Sequence, residues 1–323
     1  MTFPGVLGLD VVGPLEVFAM ANRFGASPAY ATSLASMTGG MIATSSGLAF
    51  ETEPASTIAD PIDTLIVAGG YSTGQAVDNR DLICWLRSAA ESARRVTSVC
   101  TGALLLAQAG LLDGRRATTH WSVCDALATL FPSVDVETDQ IYVRDGDVWT
   151  SAGVTAGMDL ALALVEHDHG HDLALAAARE MVMFVHRPSG FPQISAQLAV
   201  RRPAREPLRD VLAFIAEHPD ADLSVPALAR RCAMSVRAFS RAFRQETGTT
   251  PAAFVRASRV ETARRLIETS DAIFEDIARA CGFGTVETMH RAFQRTIGTT
   301  PGRFRTDGNQ SAPNRSHREA TSI

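Results

Sequence analysis

The sequence predicts two folded parts: an α/β layered domain over residues 1–187, and an all-α unit with two helix-turn-helix elements over 208–305. Three observations carry this. Segments in the first part alternate between strand-like and helix-like patterns, the mark of an α/β sheet. Near the C-terminus, Ala229-Arg230-Arg231-Cys232, Arg241-Ala242-Phe243 and Gly248-Thr249-Thr250-Pro251 return as Ala278-Arg279-Ala280-Cys281, Arg291-Ala292-Phe293 and Gly298-Thr299-Thr300-Pro301. Charge also divides the chain: residues 1–200 hold 10 arginines against 21 carboxylates, whereas 201–323 hold 20 against 14.

At 323 residues, 46% of them hydrophobic and 20% charged, the chain has room for two ordinary globular cores. No apolar run approaches the roughly 18–20 residues of a membrane span, so no membrane partner is expected. The N-terminus lacks a basic region followed by an apolar stretch. Five scattered cysteines with no CxxC pair argue against a disulfide framework or a zinc site and for a reducing cytoplasm. The chain has no lysine, so every Lys/Arg charge is arginine. A basic half joined to an acidic one implies that only the second half meets nucleic acid.

Within the first part, residues 63–70 read as a buried strand ending in a glycine turn. Residues 95–99 form another, running directly into Cys100-Thr101-Gly102-Ala103 and an apolar helix over 104–110. A cysteine on such a turn faces a helix N-terminus, whose amides favour a thiolate and lower its pKa. Gly102 and Ala103 let the turn be tight. Cys84, Cys124, Cys232 and Cys281 read as small core residues. The cluster His167-Asp168-His169-Gly170-His171 follows an apolar helix. Its alternate histidines cannot share one point on a helix, so it reads as a solvated helix–helix turn, and no metal or cofactor is assigned. Residues 188–207, broken by Pro192, Pro203 and Pro207, read as a linker.

The second part starts with Leu208, Val211, Leu212 and Ile215 at helical spacing, ended by His218-Pro219. Ser224 is an N-cap before a short helix over 227–232, and Ser235 caps a second that buries Phe239, Ala242 and Phe243. Arg237, Ser240, Arg241 and Arg244 share its exposed face. The second copy repeats this: a helix over 277–281, a turn at Gly282-Phe283-Gly284, and Thr285 capping a helix that buries Met289, Ala292 and Phe293. Glu287, Thr288 and Arg291 point out. Residues 252–269 between the copies read as one helix of roughly 25 Å. A linker of that length could hold two recognition helices about one DNA turn, ~34 Å, apart. Two repeats are too few for a solenoid, which needs about three. Residues 306–323 are polar and expected to be disordered.

These motifs carry two resemblances. Residues 208–305, with Gly282-Phe283 and the closing Gly-Thr-Thr-Pro of each copy, resemble the DNA-binding domain of AraC/XylS transcription regulators. That resemblance implies double-stranded DNA as partner. It places Arg237, Ser240, Arg241, Glu287, Thr288 and Arg291 toward bases and Arg244 and Thr300 toward phosphates. Residues 98–121, together with Gly13-Pro14-Leu15-Glu16-Val17-Phe18, Thr150-Ser151-Ala152-Gly153 and Arg187-Pro188, resemble the DJ-1/PfpI, or class I glutamine-amidotransferase-like, superfamily. This implies a flavodoxin-like sandwich that senses a small-molecule effector and forms a homodimer through this domain. It also implies a ligand pocket of Asp10, Gly69, Gly70, Cys100 and Thr101, with the Gly69, Gly70 and Thr101 amides binding an anion. Isonitrile hydratases of that superfamily use a comparable Asp, Cys and Thr, so Asp10, Cys100 and Thr101, with His120 as nearest base, are vestigial catalytic candidates. Related peptidases carry histidine where Thr101 stands, and a regulator needs no turnover. The expectation is therefore a regulator; the rivals are an enzyme using Cys100 and a Cys100 redox sensor. Relatives begin with a full strand, but only Met1-Thr2-Phe3 precede Pro4 here, fewer than the five or six residues a strand takes. That implies a longer natural N-terminus or a missing central strand.

Overall fold

A computed structural model describes residues 1–58, 61–183, 187 and 191–310. Two compact units divide between Gln193 and Ile194.

The first unit contains α1 (Gly8–Arg23), β1 (Ala35–Ser36), β2 (Gly40–Ala43), β3 (Ala49–Pro54), β4 (Thr64–Val67), α2 (Thr73–Val77) and α3 (Arg80–Ser92). It continues with β5 (Arg95–Val99), α4 (Gly102–Gln108), β6 (Arg116–Ala117), α5 (Cys124–Leu130) and β7 (Asp135–Val136). Last come β8 (Tyr142–Asp145), β9 (Val148–Ser151), α6 (Thr155–His169) and α7 (His171–Glu180). The central sheet runs β4-β5-β9-β8, parallel except for β8. All five residues of β5 are buried, as a central parallel strand covered on both faces requires. Leu82, Leu86, Leu105 and Leu106 of α3 and α4 belong to one core. Val17, Phe18 and the run Leu160, Ala161, Leu162 of α1 and α6 belong to the other, with Trp149 of the sheet. The result is the expected α/β sandwich.

Met1, Thr2 and Phe3 do the work of a very short strand. The Met1 ammonium donates to the Ile66 carbonyl (2.7 Å) and Ala68 N–H to the Met1 carbonyl (3.2 Å), while Thr2 N–H donates to Ala35 (2.8 Å). Val6 then bridges to Thr44 and Gly70. These residues link the central sheet to a second, three-stranded one ordered β1-β3-β2. Burial holds the Met1 ammonium down at about 5.

The histidine-rich segment forms the expected helix–helix turn, with His167 and His171 exposed, but Asp168 within it is not merely solvated. His167 and His169 lie inside α6, and Gly170 separates α6 from α7. Asp168 is a charge node: it accepts from the buried Arg95 guanidinium through both oxygens, and from Arg94 and the Tyr30 hydroxyl. A carboxylate so placed orients α6 against β5. Among the described residues, no group of three His, Cys, Asp or Glu side chains could hold a metal ion.

The first unit also runs beyond Arg187. Phe191 is buried in its core, and Gln193 Nε2 donates to Thr118 Oγ1 (3.1 Å) and the Thr119 carbonyl (2.9 Å). Residues 188–190 lie outside the described residues, but 194–207 already pack with the second unit: Ala196 and Val200 touch its core, and Ala196 N–H donates to Glu261.

The second unit is helical: α8 (Glu206–Glu217), α9 (Val225–Arg231), α10 (Val236–Thr247), α11 (Pro251–Thr269), α12 (Phe274–Ala280), α13 (Val286–Ile297) and α14 (Pro301–Gln310). It has two cores. Phe239, Phe243 and Phe254 belong to the first; Met289, Phe293 and Phe304 belong to the second. α11 serves both, giving Phe254 and Val255 to one and Val260, Ala263 and Ile267 to the other. α14 carries regular backbone to Gln310, past the expected end at Arg305; the rest of the tail expected to be disordered, 311–323, lies outside the described residues. No described helix is long and apolar enough to cross a membrane.

Candidate functional site

The helix starts of the second unit follow from their caps. Ser224 Oγ accepts from Ala227 N–H, Ser235 Oγ from Ala238 N–H, and Thr285 Oγ1 from Thr288 N–H. Each supplies an acceptor to an amide with no helical partner, worth about 1 kcal/mol. α10 and α13 are then fixed by apolar stripes, Phe239, Ala242 and Phe243 in one and Met289, Ala292 and Phe293 in the other, all buried. The opposite stripes face water. Arg237, Arg241 and Arg244 are exposed on α10 and Ser240 is half-buried; on α13 Glu287 and Arg291 are exposed and Thr288 half-buried. The three α10 arginines make no ion pair among the described residues. On α13, Thr288 Oγ1 meets Thr285 Oγ1 (3.0 Å) and accepts from Arg291 (3.3 Å). Its own backbone amide and the Thr285 hydroxyl hold the Glu287 carboxyl below the usual range, so it is an acceptor at neutral pH. Thr300, expected at a phosphate, uses its hydroxyl to accept from Arg303 N–H at the start of α14.

Arg259 of α11 was not singled out from the sequence. Its guanidinium donates to the carbonyls of Pro219 (2.8 Å) and Ala221 (3.0 Å) in the loop after α8. Gly282, in the turn of the second element, sits against the same loop. Its φ is +71°, and a Cβ there would overlap the Pro219 carbonyl oxygen and press on Arg259. The two elements are thus clamped together at one junction.

In the first unit the strand-to-helix turn stands where expected. Cys100 follows β5 with φ of +103°, and a Cβ at Gly102 would overlap the Val67 carbonyl oxygen. Asp10 lies opposite, almost fully buried in α1. It accepts from Val154 N–H (2.8 Å) and from Gly69 N–H (3.3 Å), and its charge acts on the Cys100 thiol. Val154 is itself left-handed at φ +53°, a strained position for a β-branched residue. Gly153, at φ +88°, leaves room for Cys100: any Cβ there would overlap the cysteine side chain.

Two expectations change here. The Cys100 thiol is pushed up, not down. Burial is the main cause and the Asp10 carboxylate the next, and both outweigh the Thr101 amide that favours a thiolate. Cys100 is a thiol at neutral pH. Two of the three amides expected to bind an anion, those of Gly69 and Gly70, have internal partners. Gly69 donates to Asp10, and Gly70 donates to Thr101 Oγ1 (2.8 Å), which also pairs with Thr73 Oγ1 (2.6 Å). His120 pairs with Ser122 Oγ (2.8 Å), and no hydrogen bond joins it to Cys100. Instead Thr119 Oγ1 donates to the Cys100 carbonyl, next to the Gln193 contact.

Burial raises the Asp10 carboxyl from 3.8 to about 6. The folded state therefore holds this proton more tightly than the unfolded one. The stabilisation is full below about pH 4 and lost as pH rises through 6, on the order of 3 kcal/mol. Asp10→Asn should flatten the pH dependence of first-unit stability between pH 4 and 6.5. Urea melts that keep the wild-type slope would refute this.

An α/β unit of this kind followed by a twin helix-turn-helix unit defines a two-part DNA-binding transcription regulator. The chain belongs to the DJ-1/PfpI family, whose model matches residues 1–167, and carries at 228–307 a helix-turn-helix domain of the AraC type. It is 31% identical over 306 residues to the HTH-type transcriptional regulator CdhR of Pseudomonas aeruginosa, covering 94% of this chain and 90% of that one. It is 39% identical over 176 residues to an isonitrile hydratase of Pseudomonas putida, covering 54% of this chain and 72% of the enzyme. A crystal structure of a ThiJ/PfpI family protein from Pseudomonas syringae superposes with a TM-score of 0.52 at 26% identity, covering 72% of this chain and 86% of that chain.

Proposed function

We propose that the first unit pairs two copies of the chain and senses a small-molecule effector at the Asp10–Cys100 corner. Each protomer's second unit then reads a DNA site of two unlike half-elements about one turn apart. The observation that carries the sensory role is the pair of left-handed residues, Cys100 and Val154, that both meet one buried carboxyl. Backbone strain costs about 1–3 kcal/mol per residue and concentrates where structure serves function. For the DNA, Arg241 and Arg291 suit guanine, Glu287 can accept from cytosine N4, and Thr288 can touch a thymine methyl. The unlike faces of α10 and α13 make the half-elements unlike.

A second reading is favoured by the likeness to an isonitrile hydratase: Cys100 as nucleophile beside Asp10, with Thr101 held nearby. Cys100→Ala separates the two. Under the regulator reading, effector-free DNA affinity measured by fluorescence anisotropy stays within about twofold of wild type, and the transcriptional response is lost. If the variant responds as wild type does, Cys100 is no part of the sensor. If wild type turns over isonitriles and its cellular role follows that activity while DNA binding is dispensable, the enzyme reading replaces it.

A further inference from the structure

A cleft of about 730 Å³ lies on the second unit between the start of α9 and the flank of α13. Arg256 and Arg259 of α11 line it, Arg291 and Arg295 of α13 flank one side, and Ser224 stands on the other. Among the described residues, no carboxylate lines it. Arg259 is held by two carbonyls and Arg291 by Thr288, but Arg256 and Arg295 have no hydrogen-bond or ion-pair partner among the described residues. Four like charges gathered in a concave surface repel one another, and a polyanion relieves that repulsion.

The position identifies the polyanion. Thr288 and Arg291 belong both to this cleft and to the face of α13 assigned to the major groove. A groove about 12 Å wide has sugar-phosphate walls, so a helix seated in it has phosphates along its flanks. In helix-turn-helix docking the first helix crosses the backbone while the second enters the groove. Here the start of α9, the first helix of one element, faces the flank of α13, the recognition helix of the other. Successive major grooves on one face are separated by a minor groove, and a sugar-phosphate strand bordering that groove has to pass between them.

We infer that this cleft seats the sugar-phosphate backbone between the two major-groove entries, with Arg256 and Arg295 each neutralising one phosphate. This rests on the DNA-reading role proposed above and adds to it a site that carries affinity without sequence information. Neither arginine belongs to the expected phosphate contacts, Arg244 and Thr300.

The salt dependence of DNA binding tests it. Each phosphate neutralised contributes about 0.9 to the slope of log affinity against log salt. Using the full-length protein and its operator fragment, Arg256→Ala and Arg295→Ala should each lower that slope by about 0.9, and the pair by about 1.8. Between about 50 and 200 mM salt, each variant then loses three- to fourfold less affinity than wild type does. Relative affinities across a panel of single-base operator changes should stay as in wild type, and Arg256→Lys and Arg295→Lys should restore the slope. An unchanged slope in both alanine variants, or a loss confined to one base position, overturns the inference. Should wild type bind no DNA fragment at all, the DNA-reading role itself falls instead.

Discussion

Arg241→Ala and Arg291→Ala are each expected to weaken specific DNA binding by about 1–3 kcal/mol, roughly 5- to 150-fold. Each arginine is exposed near the middle of a helix whose other side is locked into a core, so its position is preset before DNA arrives. A bidentate arginine–guanine pair carries that much discrimination. The two losses should map to different half-elements, because the arginines stand on separate helices. Competition titrations with operators altered in one half at a time will show this. If both variants lose affinity evenly across all sequences, these arginines contact phosphate and the base-reading role is wrong.

Gly282→Ala is expected to destabilise the second unit by about 3 kcal/mol, since it combines a left-handed φ with direct overlap on the Pro219 carbonyl. The clash also falls where Arg259 and the loop after α8 join the two elements. Affinity for the full operator should therefore drop further than for either half-element alone. Gly284, also left-handed but with open space around its Cβ position, is the control: Gly284→Ala carries strain without a clash and should cost less. Equal midpoints for the two variants in guanidinium melts would show that the junction is looser than described.

The second unit was legible because its signals are local. A serine or threonine cap lies three residues before the amide it satisfies, and the buried and exposed stripes follow helical spacing. β5 and the turn at Cys100 were legible for the same reason, an apolar run meeting a Cys-Thr-Gly corner. What escaped depends on partners far apart in the chain. Asp10 meets Val154 across 144 residues, and Asp168 meets Arg95 across 73. Helix position alone argued for a thiolate at Cys100; burial and a facing carboxylate, both tertiary, reversed it. The hydrogen bonds of the Gly69 and Gly70 amides to Asp10 and Thr101 likewise span 59 and 31 residues, out of reach of any local signal. Nothing local marks Arg259, because its acceptors lie in a loop 38 and 40 residues away.

α11 joins two cores, and that makes it a screw as well as a strut. Each residue added to a helix advances its end by about 1.5 Å and turns it by about 100°. Lengthening it by one residue would barely change the spacing of α10 and α13, yet would swing α13 about a quarter turn away from the groove. The 19 residues of α11 therefore fix an angle far more strictly than a distance. The repeat agrees: its one extra residue falls in the turn ahead of α13, where no helical phase is at stake.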